Sequence, residues 1–356
     1  MKIVFVAHGA SNGGAGRVSS ILCNELSKLG HTIYYMAFYY QNIDYRIEKN
    51  VNYYIIPQKY SNKLLKNIYL NKILWKYIKQ IQPDIVISFA TNIMLYTGFL
   101  WNGPIIYSLR NDPNSVNADI IGRNLRNILY NKAKAVVFQT PGAKKYFSQS
   151  IQRKGVIIGN PIQEGLPEWK KEKCEKIIIT VCRLDKQKNV SMLLKAFSIF
   201  YIKHPDYFLY ICGDGPLKNV LIQESVQLGI SDRTKFLGFC NNATELVAKS
   251  NVFVLSSDYE GLSNSMLEAL AIGIPTVCTD CPSGGAACYI EDGVNGFLVP
   301  IGNEICLANA LSNIIDNDNI QKQLSIESKK INNYLSKNNV VLQWEKLLLD
   351  VIDGEF

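Results

Sequence analysis

The sequence predicts an α/β fold made of two doubly wound parallel-sheet domains. Three features predict it: short unbroken apolar runs, a helical apolar period after most of them, and Gly-rich turns at several junctions. At 356 residues the chain is long enough for two domains, each with its own core. Hydrophobic residues make up 47% and charged residues 19%. That is globular composition, and it excludes a disordered, collagen-like or coiled-coil chain.

Lys2–Ala7 is a continuous apolar run of the length of a buried parallel strand. Gly9 to Arg17 is a Gly-rich turn, and Val18–Leu29 follows with Val18, Ile21, Leu22, Leu26 and Leu29 at helical spacing before Gly30 stops it. Thr32–Phe38, Pro83–Ser88, Pro104–Leu109 and Ala135–Gln139 read as further strands. No charged residue occurs from Ile85 to Leu109, but Thr91-Asn92, Gly98 and Asn102-Gly103-Pro104 interrupt the run. A membrane span needs about 20 consecutive apolar residues, so two buried strands flanking a helix account for it better.

The second half repeats the pattern. Lys176–Cys182 reads as a strand, Val190–Ile202 as a helix, and Tyr207–Cys212 as a strand ending in Gly213-Asp214-Gly215-Pro216. Leu217–Leu228 (helix), Thr234–Phe236 and Val252–Ser256 (strands), Ser265–Ala271 (helix) and Pro275–Thr279 (strand) complete the series. Ile331–Ile352 reads as one closing helix. Pro161, Gly165, Pro167 and the charged stretch Glu168–Lys176 look like a linker. Residues 1–160 and 161–335 are therefore the two expected domains, with a C-terminal helix over 336–356 expected to pack back on the first.

The net charge of +8 conceals an asymmetry. Residues 1–160 hold 20 Lys and Arg against 6 Asp and Glu, a net of +14. The remainder holds 18 (38 − 20) against 24 (30 − 6), a net of −6. Such halves suit different partners. Within the basic half no acid occurs from Lys49 to Pro83, where Lys59, Lys63, Lys66, Lys72, Lys76 and Lys79 interleave with Leu64, Leu65, Ile68, Ile73, Trp75 and Tyr77. This pattern suits an anionic membrane surface, each cation contributing about 1 kcal/mol near it. It equally suits a helix with its lysines in water and its apolar side on the core. No nucleic-acid-binding module accompanies the charge, so nucleic acid is not an expected partner. Lys2–Ala7 is too short for a signal peptide, and nine Cys form no even disulfide framework, so a cytoplasmic protein is expected.

Five segments could carry chemistry. Gly13-Gly14-Ala15-Gly16 joins a strand to a helix, where backbone N–H groups and the helix dipole can face an anion. The acidic residue of a dinucleotide fingerprint is absent near Tyr34–Ala37, so a plain tight turn and a ligand loop both remain open. Arg183 and Lys188 follow the strand Lys176–Cys182, at the end of the sheet where open α/β folds bind ligands; they could clamp a diphosphate or simply be solvated charges. Glu260-Gly-Leu262-Ser263-Asn264-Ser265-Met-Leu-Glu268 sets two acids around small polar residues at a helix start. Ser265-Met-Leu-Glu268 also fits a capping box, which would put Glu268 in the first helical turn. Cys278-Thr-Asp-Cys281 has no second pair and no nearby His, and Asp316-Asn-Asp318 lies in a polar segment, so no metal is expected.

Taken together these segments resemble a known family. Val181-Cys-Arg183-Leu-Asp-Lys-Gln-Lys188-Asn189, Gly213-Asp-Gly215-Pro216, Glu260-x7-Glu268 followed by Ala-Leu-Ala-Ile-Gly273-Ile-Pro275, and Asp292-Gly293-x-Asn295-Gly296 resemble the family 4 retaining glycosyltransferases of GT-B fold. The Gly-rich loop and Arg110-Asn111-Asp112-Pro113 resemble the bacterial surface-polysaccharide members more loosely. The resemblance implies two Rossmann-like domains facing across a cleft, the first binding the acceptor and the second a UDP-sugar. It implies that Arg183 and Lys188 hold the diphosphate, Glu268 the ribose and Glu260 the donor sugar. Leu262, Ser263, Asn264 and Ser265 would offer backbone amides to sugar or phosphate, with Gly213 close by and Gly13 and Gly14 beneath the diphosphate.

Arg110 stands where related enzymes carry a pocket histidine, which makes Arg110 and Asn111 candidates for sugar or acceptor contact. Lys63, Lys66, Lys72 and Lys76 are candidates for membrane or acceptor contact. The implied activity is metal-independent, retaining transfer of a hexose or N-acetylhexosamine (Gal, GalNAc, GlcNAc or Glc) to a lipid-linked or growing surface glycan. That would occur on the inner face of the cell membrane. A sugar-nucleotide epimerase of related fold and a non-catalytic nucleotide-sugar-binding protein are the alternatives.

Overall fold

The computed structural model of the chain describes residues 1–10, 13–38, 45–57, 59–89, 101–116 and 119–356, with the backbone alone at 63, 64 and 67. It divides into two compact units, Met1–Pro161 with Asn338–Phe356, and Ile162–Lys337. The helix expected between the strands of the uncharged run falls largely on 90–100, outside the described residues.

The first unit holds a seven-stranded sheet: β1 (Lys2–Ala7), β2 (Thr32–Ala37), β3 (Asn52–Ile55), β4 (Ile85–Ser88), β5 (Ile105–Ser108), β6 (Ala135–Phe138) and β7 (Gly155–Ile157). Their order is β3-β2-β1-β4-β5-β6-β7, and every pairing is parallel. β1, β4, β5 and β6 are buried on both faces, which is why they read as unbroken apolar runs. β3 has exposed and half-buried positions and β7 is three residues long, so neither carries that signal.

The first helix spans Gly14–Lys28 and so begins earlier than the apolar period at Val18 suggests. The Gly-rich residues themselves form its first turn, with the Arg17 amide donating to the Gly13 carbonyl at 3.2 Å. The basic segment forms a helix, Lys63–Ile81, that buries Leu70, Leu74, Ile78 and Ile81 against the sheet. Its lysines Lys72 and Lys76 lie on the exposed side, and so do Leu65, Ile68 and Trp75. The last helix, Lys337–Asp353, belongs to this unit through Val340, Trp344, Leu347, Leu348 and Val351, all buried. The tail is therefore not one helix. A separate short helix, Ile331–Tyr334, ends in the second unit, where the Leu335 carbonyl accepts from the Ile162 amide at 2.9 Å.

The second unit holds β8 (Ile177–Val181), β9 (Phe208–Cys212), β10 (Thr234–Gly238), β11 (Val252–Leu255), β12 (Thr276–Thr279) and β13 (Phe297–Val299). The order is β10-β9-β8-β11-β12-β13, again all parallel. Leu193, Leu194, Phe197 and Phe200 of helix Val190–Lys203 pack with Leu307, Leu311 and Ile314 of helix Glu304–Asp316 in the core. The stretch 161–176 is not a free linker. Trp169 is buried and donates from Nε1 to the Ser250 carbonyl at 2.8 Å, and its amide donates to the Ile272 carbonyl at 3.0 Å. One aromatic anchor is enough to dock a segment whose Pro, Gly and charge content reads as a linker.

In each unit the strand order reverses at a switch point, between β1 and β4 and between β8 and β11. Ligands of open parallel sheets bind beyond the carboxyl ends of the strands at that point.

Trp344 is fully buried and stacks on Phe89 with ring centroids 5.5 Å apart. Trp344→Ala should lower the stability of the first unit by about 3–5 kcal/mol. A wild-type urea midpoint for the variant would show that the closing helix does not hold that unit together.

Candidate functional site

In the second unit the loops leaving β8 and β11 meet at the switch point. Residues 186–188 form a single 3₁₀ turn capped by Asp185, whose Oδ1 accepts from the Lys188 amide at 3.3 Å. The other Asp185 oxygen accepts from Arg183 Nε at 2.6 Å, while the Arg183 side chain is 70% exposed. Asn189 then takes a left-handed conformation, φ 41°, and caps helix Val190–Lys203 by accepting from the Met192 amide at 3.2 Å. Its Nδ2 donates to Asp258 Oδ1 at 2.6 Å, the Asp258 amide donates to the Gln187 carbonyl at 2.9 Å, and Ser256 Oγ donates to the Lys188 carbonyl at 3.0 Å.

These cross-links bring Lys188 Nζ onto Glu260 Oε1. Both side chains are largely buried, 16% and 10% exposed. Ser257 Oγ also donates to Glu260 Oε1, at 2.8 Å, and Gln187 Nε2 donates to Oε2 at 3.2 Å. Burial alone would pull the Lys188 ammonium toward neutrality, but the adjoining Glu260 carboxylate outweighs it and holds Lys188 above the usual lysine range. The amine therefore stays charged inside the protein. Ser283 Oγ donates to the Glu260 carbonyl, which ties in the loop after β12.

Gly213 stands behind this turn. A Cβ there would lie 1.8 Å from the Cys182 carbonyl oxygen, and the Leu184 amide donates to the Asp214 carbonyl at 3.0 Å. The loop after β9 thus presses directly on the Arg183 loop, which only glycine allows.

The helix after Glu260 starts differently from the capping box read in the sequence. It spans Asn264–Ile272, and its cap is Ser263, which accepts from the Met266 amide at 3.4 Å. Ser263 Oγ also lies 3.1 Å from Ser265 Oγ. Ser265 is already inside the helix, so Glu268 sits beyond the first turn and no acid occupies that turn. Leu262 and Ser263 are buried, whereas Asn264, Ser265 and Glu268 are half-buried.

In the first unit Gly13 caps helix Gly14–Lys28 with φ 123°, a value that suits glycine. The turn before it is anchored where the Ala10 amide donates to Tyr53 Oη at 3.2 Å. Arg110 follows β5. Its Nη1 donates to Asn160 Oδ1 at 3.0 Å, and Gln139 Nε2 donates to the same oxygen at 2.7 Å. The guanidinium carbon lies 4.5 Å from the Phe89 ring centroid and 5.7 Å from that of Trp344. Asn111 Oδ1 accepts from the Asp112 amide at 2.8 Å and so turns back on its own loop.

Of the metal candidates, Cys278 and Cys281 are both buried, and burial raises both thiols, Cys281 to about 12, the opposite of a reactive thiolate. Asp316 lies 3.7 Å from His204, and Asp318 pairs with Lys171, both at the surface. Among the described residues no group of three or more His, Cys, Asp and Glu is placed to hold a metal ion. The sequence reading missed Gln187, Ser257, Asn160 and Gln139. Only Gln187 lay inside a motif that drew attention.

Two family models match the chain, "Glycosyltransferase Family 4" over residues 12–164 and "Glycosyl transferases group 1" over residues 162–331. An uncharacterized glycosyltransferase of Haemophilus influenzae is 27% identical over 97% of this chain and 98% of its own. The GalNAc-alpha-(1->4)-GalNAc-alpha-(1->3)-diNAcBac-PP-undecaprenol alpha-1,4-N-acetyl-D-galactosaminyltransferase of Campylobacter jejuni is 28% identical, over 99% of each chain. Among solved structures, Anabaena HepE in complex with UDP and glucose superposes with a TM-score of 0.83 at 18% identity, covering 98% of this chain and 99% of that one. The fold and the two matched models agree, and the chain belongs to the family 4 glycosyltransferases of GT-B fold.

Proposed function

We propose that the chain transfers a hexose or N-acetylhexosamine from a UDP-sugar to a lipid-linked or growing surface glycan, with retention at the anomeric carbon. The observation that carries this reading is the buried Lys188–Glu260 pair beside the exposed Arg183, at the carboxyl ends of β8 and β11. Breaking the anomeric bond of a nucleotide sugar leaves a diphosphate anion. Fixed positive charge at the leaving group is then the main lever the protein has. Lys188 is a preformed ammonium with one contact on Glu260 and two further N–H donors. Arg183 supplies a second cation whose partner, Asp185, is close enough to be exchanged for phosphate.

Glu260 anchors Lys188 and stays in the donor-sugar role, while Glu268 is assigned the ribose. Leu262–Ser265 surround the capped helix start, where a phosphate or sugar oxygen finds backbone donors. Gly13 and Gly14 keep their assignment to the donor diphosphate. The attacking acceptor hydroxyl approaches on the face the nucleotide leaves, and the departing phosphate helps take its proton. The proposal uses no metal. Relatives named for an undecaprenol-linked substrate and structures bound to UDP and UDP-glucose support this choice of donor and acceptor.

Peripheral attachment to the inner membrane face is part of the proposal, through helix Lys63–Ile81. Its outer side shows Lys72 and Lys76 with exposed Leu65, Ile68 and Trp75, and Lys79 Nζ sits 3.6 Å over the Trp75 ring. Lys63 and Lys66 lie in its first turns. No described helix is long and apolar enough to cross a membrane.

A panel of UDP-sugars should raise the melting temperature. A ligand at 100 times its Kd adds about 2.7 kcal/mol to the folded state. No shift with UDP or any UDP-sugar would refute the donor, and an inverted anomeric product by NMR would refute retention. Arg183→Ala should lower turnover at least tenfold with a stability change within about 1 kcal/mol, because its ion pair is exposed. Lys188→Ala should lower turnover and also cost about 3–5 kcal/mol, since it strands the buried Glu260 carboxylate. Equal unfolding curves for the two variants would show that the pair is not buried as described. Sedimentation with anionic vesicles should exceed that with neutral ones and fall when Lys72 and Lys76 become Gln. Equal recovery at low salt would refute membrane docking.

A further inference from the structure

Arg110 is a charge enclosed without a counter-charge. Among the described residues no Asp or Glu forms an ion pair with it. The nearest acid in sequence, Asp112, is buried and accepts from the Asn114 amide at 3.1 Å, which commits it to its own turn. Arg110 Nη1 is used on Asn160, whereas Nε and Nη2 are buried and have no hydrogen-bond partner among the described residues. Those two nitrogens share one edge of the guanidinium plane, the edge that grips two oxygens of a carboxylate or phosphate at once. Buried donors in native proteins are nearly always matched, so an unmatched pair on one edge marks a missing partner.

The surroundings hold that edge in place. Phe89 and Trp344 flank the group, and Asn160 is itself fixed by Gln139. The loop that follows is pinned by Arg126, whose Nη1 donates to the carbonyls of Pro113 at 2.7 Å and Val116 at 2.9 Å. Arg126 leaves the same two nitrogens unmatched, but it is 1% exposed beneath that loop. Arg110 is half-buried as a residue, with that edge itself covered, and it sits beyond the carboxyl end of β5, the ligand end of the sheet. Burial lowers its pKa to about 9, and it is still charged at neutral pH.

We infer that the Nε–Nη2 edge of Arg110 binds an oxyanion, a phosphate or a carboxylate, carried by the acceptor. This rests on the transferase reading, which leaves the donor diphosphate to Arg183 and Lys188. The location in the half of the sequence with a net charge of +14 fits an anionic acceptor.

The test uses the full chain saturated with UDP, so that donor-site anion binding is blocked. Inorganic phosphate is titrated in one arm and acetate in the other, at matched ionic strength with chloride, and thermal stability is read. The wild type should be stabilised by one of the two anions, which identifies the acceptor group as phosphate or carboxylate. Arg110→Gln should weaken that anion at least tenfold while UDP affinity stays within twofold. Arg110→Lys keeps the charge but not the fork, guards against a folding failure, and should weaken it similarly. Wild-type anion affinity in a folded Arg110→Lys overturns the inference, as does the absence of any anion effect in the wild type. If UDP displaces the anion, or if Arg110→Gln loses UDP tenfold, the oxyanion is the donor's and the acceptor assignment is overturned. Failure of UDP to bind the wild type at all overturns the transferase reading and the acceptor assignment with it. The anion titration without UDP still reports whether Arg110 binds an oxyanion.

Discussion

The candidate site depends on one interaction, the buried ion pair between Lys188 and Glu260. Two loops leave adjacent parallel strands, β8 and β11, where the strand order of the second sheet reverses. Each loop brings one charge that could not be buried by itself. Gln187 and Ser257 occupy the remaining reach of the carboxylate, so the pair sits in a hydrogen-bonded setting rather than an apolar one. That setting decides which charged form survives. Burial opposes the ammonium, the carboxylate restores it, and the site keeps a positive charge without needing a ligand to create it.

The same constraint divides labour between the two cations. Lys188 cannot move far without stranding Glu260, so it is a fixed point. Arg183 is exposed and held by Asp185 alone among the described side chains, so it can turn toward an arriving anion. On the proposed reading, a buried cation that sets position and an exposed one that can follow charge suit a leaving group whose charge grows during the reaction. The close approach at Gly213 bears on the Arg183 end of the same loop, because it presses the loop after β9 against Cys182.

How much of this was legible in the sequence follows from where burial is two-sided. β1, β4, β8 and β11 are enclosed on both faces and announce themselves as apolar runs. β3, β7 and β13 are edge strands of three or four residues with mixed exposure, too short for their apolar residues to stand out as a run. The start of helix Asn264–Ile272 shows the limit of local pattern. Ser263 and Ser265 can each cap a helix, but only Ser265 has an acid three residues on, and Glu268 thereby favours the wrong one. The backbone decides instead, since Ser263 is the extended residue at φ −76°, ψ 120°. Arg183, Lys188, Glu260 and Glu268 were legible as a family pattern. The contact between Lys188 and Glu260 spans 72 positions, and no local rule joins them. Asn160 and Gln139 left no trace, because a buried amide that fixes another side chain looks like any polar residue near a strand end.

The two halves of the chain treat buried positive charge in opposite ways. In the second unit the lysine carries its own carboxylate, and the net charge of that half of the sequence is negative. In the first unit the arginine is enclosed by two aromatic rings and one amide oxygen, in a half that is strongly basic. Aromatic faces lessen the cost of burying a guanidinium but do not neutralise it, since the ring quadrupole offers a fraction of what a carboxylate does. A cation balanced from within can serve a ligand that comes and goes while the fold stays neutral. One left unbalanced makes the free protein the strained partner, and it transfers that deficit to whatever anion completes it. On the proposed reading, the placement of charge therefore separates a donor subsite that is preformed from a second subsite that is completed only by what it binds.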